Sequence, residues 1–187
     1  MKKGTIIGLV IGAILVILIL SGISSYNRMV SSKENVDTKS SDVEVTLERR
    51  ADLIPNLVNT VKGYVQHEEK VISAITTARE NLVGAKSLTE KAKANDELTN
   101  ALNSLMVIVE NYPDLKANTN FINLQDELAG TENRIATARR DYNSAAKTYN
   151  TTIKKFPNSI IASMFNFEEV QYFELIEEDT KVPNVEF

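Results

Sequence analysis

Near residue 24 the hydrophobic positions change from a continuous run to a helical period, and both patterns predict helix. Residues 4–23 carry no charge and are dominated by Ile, Leu and Val. At 1.5 Å per residue such a run spans about 30 Å, the thickness of a bilayer's hydrocarbon core. A cleaved signal peptide has a shorter apolar centre, about 7–15 residues, and a small-x-small cleavage site. Ser21-Gly22-Ile23-Ser24 is a poor version of that site, so an uncleaved anchor is preferred and a cleaved signal is the alternative. Lys2 and Lys3 abut the run, whereas Arg28, Lys33 and Lys39 are spaced and interrupted by Glu34. The positive-inside rule then favours a cytoplasmic N-terminus with the remainder outside.

Downstream, residues 53–83 place Ile54, Val58, Val61, Val65, Glu68, Ile72, Ile75, Arg79 and Leu82 at alternating steps of four and three. That is a heptad seam interrupted by two opposite charges. Asp52 reads as its N-cap, Pro55 falls in its first turn, and Gly84 ends it. Residues 119–156 repeat the pattern through Phe121, Leu128, Ile135, Tyr142, Tyr149 and Phe156, up to Pro157. Between them, Ala94, Leu98, Ala101, Leu105, Ile108 and Tyr112 mark a shorter helix closed by Pro113. The stretch 26–50 has a sparse apolar face of Met29, Val36, Val43 and Leu47. It reads as helix because no Gly or Pro interrupts it, with a polar stalk at 31–41 as the alternative.

Short connections make consecutive helices antiparallel. The predicted fold is therefore all-α: a single N-terminal transmembrane helix followed by an elongated antiparallel up-and-down four-helix bundle. Three segments follow: an anchor at 1–25, the bundle at 26–158, and an aromatic tail at 159–187 packing on it. In this arrangement Arg49, Arg50, Asp52 and Asn56 share the membrane-distal end with Tyr112, Asp114 and Lys116.

Composition narrows the chemistry. The 187 residues include one His, no Cys, seven Gly and four Pro, which excludes thiol catalysis and Cys-ligated metals and suits long helices. Residues 24–187 hold 19 basic and 25 acidic side chains, a poor match for a phosphate backbone, so no nucleic-acid partner is expected. His67-Glu68 lacks the companions a di-iron site requires. Neither a metal nor another cofactor is expected, and no catalytic residue is assigned. Glu68, on the seam, is expected to form a buried pair with Arg139 that fixes helix register. The tip residues Arg49, Arg50, Asp52, Asn56, Tyr112, Asp114 and Lys116 mix capping with exposed charge and form the candidate docking surface. Met164, Phe165, Phe167, Tyr172, Phe173, Leu175 and Ile176 are expected to fold back over the bundle's proximal end, since such apolar density rarely stays exposed, with a place at the membrane interface as the alternative.

Several motifs carry a family resemblance. Arg49-Arg50-Ala51-Asp52-Leu53-Ile54-Pro55-Asn56-Leu57-Val58, leading to Val61-Lys62-Gly63-Tyr64, resembles the signature of LemA family proteins. So do Glu110-Asn111-Tyr112-Pro113-Asp114-Leu115-Lys116 and Glu132-Asn133-Arg134-Ile135, with Tyr142-Asn143, Tyr149-Asn150 and Phe156-Pro157-Asn158 following in order. The first helix departs from the pattern, because relatives often carry a Trp near Ser40. The resemblance implies a bacterial single-pass membrane protein without established enzymatic activity. Family genes often neighbour those for a membrane metalloprotease or a TPM-domain protein, and one relative takes part in magnetosome formation. The expected function is a membrane-anchored, non-catalytic interaction or scaffold protein of the cell envelope, bound to the bilayer through residues 4–23. Its protein partner is unidentified, a membrane protease or TPM-domain protein being the class the gene neighbourhood suggests. The alternatives are a regulatory partner of a membrane metalloprotease and, behind it, a metal-dependent hydrolase.

Overall fold

The computed structural model describes residues 3–65 and 67–173, and every regular element among them is a helix. These are α1 (Lys3–Lys62), α2 (Glu69–Gly84), α3 (Leu88–Val109), α4 (Pro113–Lys116), α5 (Thr119–Lys154) and α6 (Asn158–Met164). The chain divides into two compact units, one built from residues 3–39 and 143–172, the other from residues 40–142 with Phe173.

α1 is longer than the sequence predicts. The expected turn at 49–55 does not exist, because the helix runs on to Lys62 with Pro55 inside it. Asp52 is an exposed mid-helix residue rather than an N-cap. A proline inside a helix has no N–H for the carbonyl four residues back. Here that carbonyl belongs to Ala51, and Arg79 Nε of α2 donates to it at 2.9 Å. A side chain thus supplies the missing hydrogen bond, and the helix need not end. α1 instead ends before Gly63, a poor helix former, and α2 begins at Glu69. The predicted seam through Glu68 is therefore broken by a turn.

In residues 40–142 the directions of the helices follow from paired residues. Glu44 meets Lys91 and Arg50 meets Asn95, so α1 and α3 run the same way. Gln125 reaches Met106 and Arg139 reaches Asp96, so α5 runs against α3. Asn81 meets Glu97 across the short link from α2 to α3, so these two are antiparallel as well. Val43, Leu47, Ile54, Leu57 and Val61 of α1, Ile75 and Leu82 of α2, Leu98 and Leu105 of α3, and Phe121 and Ile135 of α5 are buried. Asn118 Nδ2 donates to Tyr64 Oη at 2.8 Å, which sets the α1–α2 turn beside the α4–α5 turn. Asn118 also caps α5 by accepting from Phe121 N at 3.1 Å.

The start of α3 is a capping box. Ser87 Oγ accepts from Glu90 N at 3.2 Å, and Glu90 Oε2 accepts from Ser87 N at 3.3 Å and Lys86 N at 2.8 Å. Those two backbone N–H groups hold the Glu90 carboxyl below its ordinary value. A depressed carboxylate contributes stability above its unfolded pKa and loses it as pH falls through the folded pKa. Replacing Ser87 with Ala is expected to cost about 1 kcal/mol near neutral pH. Glu90→Gln should remove the box's share of acid sensitivity. Paired denaturation curves at neutral and acid pH measure both effects.

In residues 3–39 and 143–172, Met29, Val36, Ala145, Ala146, Tyr149, Ile153 and Ala162 are buried. The chain after α6 folds back on α1 and α5. Tyr26 packs on Phe165 at 4.8 Å and Phe167 at 5.6 Å between ring centroids. Tyr149 Oη donates to the Glu168 carbonyl at 2.9 Å, and burial raises the phenol above its usual pKa. Asn150 binds both the N–H and the carbonyl of Val170, at 3.0 and 2.9 Å. Asn166, at φ 54°, makes the turn after α6, a conformation that Asn tolerates better than most side chains. The expected cover is partial, because Phe173 is buried while Met164, Phe165 and Tyr172 stay exposed; Leu175 and Ile176 lie outside the described residues.

Along α1, the side chains at Ile6, Leu9, Val10, Ile14, Leu18 and Leu20 are exposed. Among the described residues α1 is the one helix long and apolar enough to cross a membrane.

Candidate functional site

The most concentrated polar chemistry within residues 40–142 surrounds Arg50. Steps of four and three along α1 (Val43, Leu47, Arg50, Ile54, Leu57, Val61) put residue 50 on the buried seam and residue 49 beside it. Arg50 is 3% exposed, whereas Arg49 is exposed and meets Glu127 at 3.3 Å. Arg50 Nη1 donates to Asn95 Oδ1 of α3 at 2.7 Å and to the Glu132 carboxylate of α5. Next to it, Arg139 Nη2 donates to Asp96 Oδ1 at 3.4 Å, and its guanidinium lies 4.5 Å from the centre of the Phe173 ring. Burial lowers the Arg50 pKa; Glu132 and Asp96 oppose the shift and Arg139 adds to it. Arginine keeps its proton in proteins even so. Two cations and two anions thus tie α1, α3 and α5 together. Three buried donors of the group, Arg50 Nε, Asn95 Nδ2 and Arg139 Nε, have no acceptor.

The sequence-predicted site residues are distributed differently from expectation. Glu68 does not pair with Arg139, whose carboxylate is Asp96. The chain turns just before α2, and Glu68 stands in that turn as the residue ahead of the helix, its carbonyl accepting from Val71 and Ile72. The docking residues separate into two groups. Tyr112, Asp114 and Lys116 surround α4, where Lys116 Nζ meets Glu110 at 2.7 Å. Arg49, Asp52 and Asn56 are exposed on the flank of α1, six or more residues before the turn. Residue 52 lies about 15 Å from the end of α1, given the rise of a helix. Arg50 belongs to neither surface group because it is buried.

Asn95, Asp96 and Glu132 were missed as partners. A signal for Asn95 exists: it stands three residues before Leu98, a polar side chain in an apolar row. Among the described residues no group of three or more His, Cys, Asp or Glu is placed to hold a metal ion. The arrangement orders helices and holds charge.

Comparison with known proteins agrees with the motifs. Residues 39–187 match the LemA family model. Two magnetosome proteins, MamQ 1 and MamQ 2 of Paramagnetospirillum magneticum, are each 30% identical over 198 residues, covering 87% of this chain and 72% of the relative. Protein LemA of Metamycoplasma hominis is 26% identical over 155 residues, covering 81% of this chain and 69% of its own. The matched span includes the buried Arg50 group, the α4 turn and the Tyr149–Asn150 contacts. The chain belongs to the LemA family.

Proposed function

We propose that the chain is a membrane-anchored, non-catalytic interaction protein of the bacterial cell envelope. Residues 4–23 cross the bilayer, the N-terminus is cytoplasmic, and the helical body lies outside the cytoplasm. The observation that carries this reading is α1 itself. Its apolar side chains between residues 6 and 20 are uncovered by protein, and the same unbroken helix goes on to the buried seam of the body. Exposed aliphatic surface of that extent is strongly favoured in hydrocarbon. The lysines before the run support the orientation.

The docking surface is the end that carries the α1–α2 turn and α4. Tyr64, Asp114 and Lys116 are exposed there, and Tyr112 is half-buried beside them. Tyr is enriched where proteins meet, and the rim of such contacts is polar. Photocrosslinking of the full chain in its own membrane tests the assignment. A photoreactive residue in place of Asp114 is expected to capture one discrete protein, and the same residue in place of Asp52 to capture none. Equal capture from both positions, or capture from Asp52 alone, would remove the docking role from this end.

A further inference from the structure

Next to the Arg50 group lies a half-open cleft of ≈ 330 Å³ between α1, α3 and α5, all within residues 40–142. Its walls are Leu57, Leu102, Leu105, Met106, Phe121 and Leu128, and Arg50 and Glu132 also line it. It is a cleft open to solvent on one side, where Met106 and Ala129 are exposed at its rim. Sites for small molecules begin at roughly 300 Å³ and pair apolar walls with a few polar groups. The polar group here is unusual: a guanidinium 3% exposed, with a buried Nε that has no acceptor. The neighbouring buried atoms without partners are donors too, so what the site lacks is acceptor oxygen.

We propose that this cavity binds an amphipathic carboxylate of medium chain length. The hydrocarbon fills the space among Leu102, Leu105, Met106 and Phe121, and the carboxylate pairs with Arg50. Glu132 makes room by exchange. Its side chain is 43% exposed while that of Arg50 is 4% exposed, so the internal anion can rotate into water and the cation cannot. Arginine is suited to the exchange, because its planar fork accepts a carboxylate through two parallel N–H donors. The site is independent of the docking end, and its failure would leave the proposed function untouched.

The test uses the full chain in phosphatidylcholine nanodiscs and a dodecanoate carrying a diazirine on its alkyl chain. Photolysis followed by peptide mass spectrometry is expected to place label on α3 at Leu102 or Met106. Unlabelled dodecanoate should compete at least about tenfold better than dodecanol or dodecylammonium, as a charge-assisted pair requires. Glu132→Gln removes the competing internal anion and strands the Arg50 charge, so it should lower the stability of the ligand-free chain and strengthen labelling. Ala129→Trp, at an exposed position on the cavity lining, should block labelling with helicity unchanged. Label confined to residues 6–20, or equal competition by dodecanol, would overturn the proposal on the wild-type chain alone.

Discussion

Replacing Arg50 with Ala is expected to destabilise the helical body by about 3 kcal/mol, the lower part of the range for breaking a buried pair. The lower part applies because Glu132 is half-exposed and can recover water once its partner is gone. The remaining loss falls on Asn95, whose Oδ1 is buried and would lose its donor. Arg50→Glu is worse, since it sets a third carboxylate beside Glu132 and Asp96 in a buried site, and the chain should not fold. Arg49→Glu is the control. Its pair with Glu127 is exposed, and such pairs contribute at most about 1 kcal/mol. Chemical denaturation of the purified full chain, followed by circular dichroism, measures all three. Equal effects at positions 49 and 50 would contradict the burial of Arg50.

The second large effect joins two residues far apart in sequence. Arg79→Ala strands the Ala51 carbonyl, and an unpaired buried carbonyl costs about 1–3 kcal/mol. Pro55→Ala restores an N–H in the position that normally serves that carbonyl. In the Pro55→Ala background Arg79→Ala should therefore cost much less. A double-mutant cycle is expected to return a coupling of about 1 kcal/mol or more. Additive effects within about 0.3 kcal/mol would show that Arg79 does not replace the missing bond.

This pair also shows why the sequence was legible in one respect and misleading in another. Met29, Val36, Val43 and Leu47, the sparse face read from the first helix, are all buried. Helical period is a local property, and it carries through. Asp52 and Pro55 imitate a helix start because the local chemistry of a start is Asp followed by Pro. What overrides them is Arg79, in contact only after α2 has folded back. Once α1 is allowed to continue to Lys62, the step from Leu47 to Arg50 to Ile54 falls on the seam, and the two adjacent arginines separate into a buried one and an exposed one. The pairing of Arg139 could not be read from helix rise. A helix start at Asp52–Pro55 puts Glu68 level with α5, whereas α1 continues to Lys62, so Glu68 falls just ahead of α2 and Asp96 stands opposite Arg139. For the site, residue types were legible and partners were not, since a partner depends on where the chain reverses.

One fractionation tests both the membrane anchor formed by α1 and the placement of the body outside the cytoplasm. Membranes from cells carrying the full chain are washed with alkaline carbonate, and intact spheroplasts from the same cells are treated with protease. The chain is expected to stay in the washed membrane, and protease to digest the body from outside, leaving a short fragment around residues 4–23. Release of the intact chain by carbonate would contradict the anchor, and full protection until lysis would contradict the orientation.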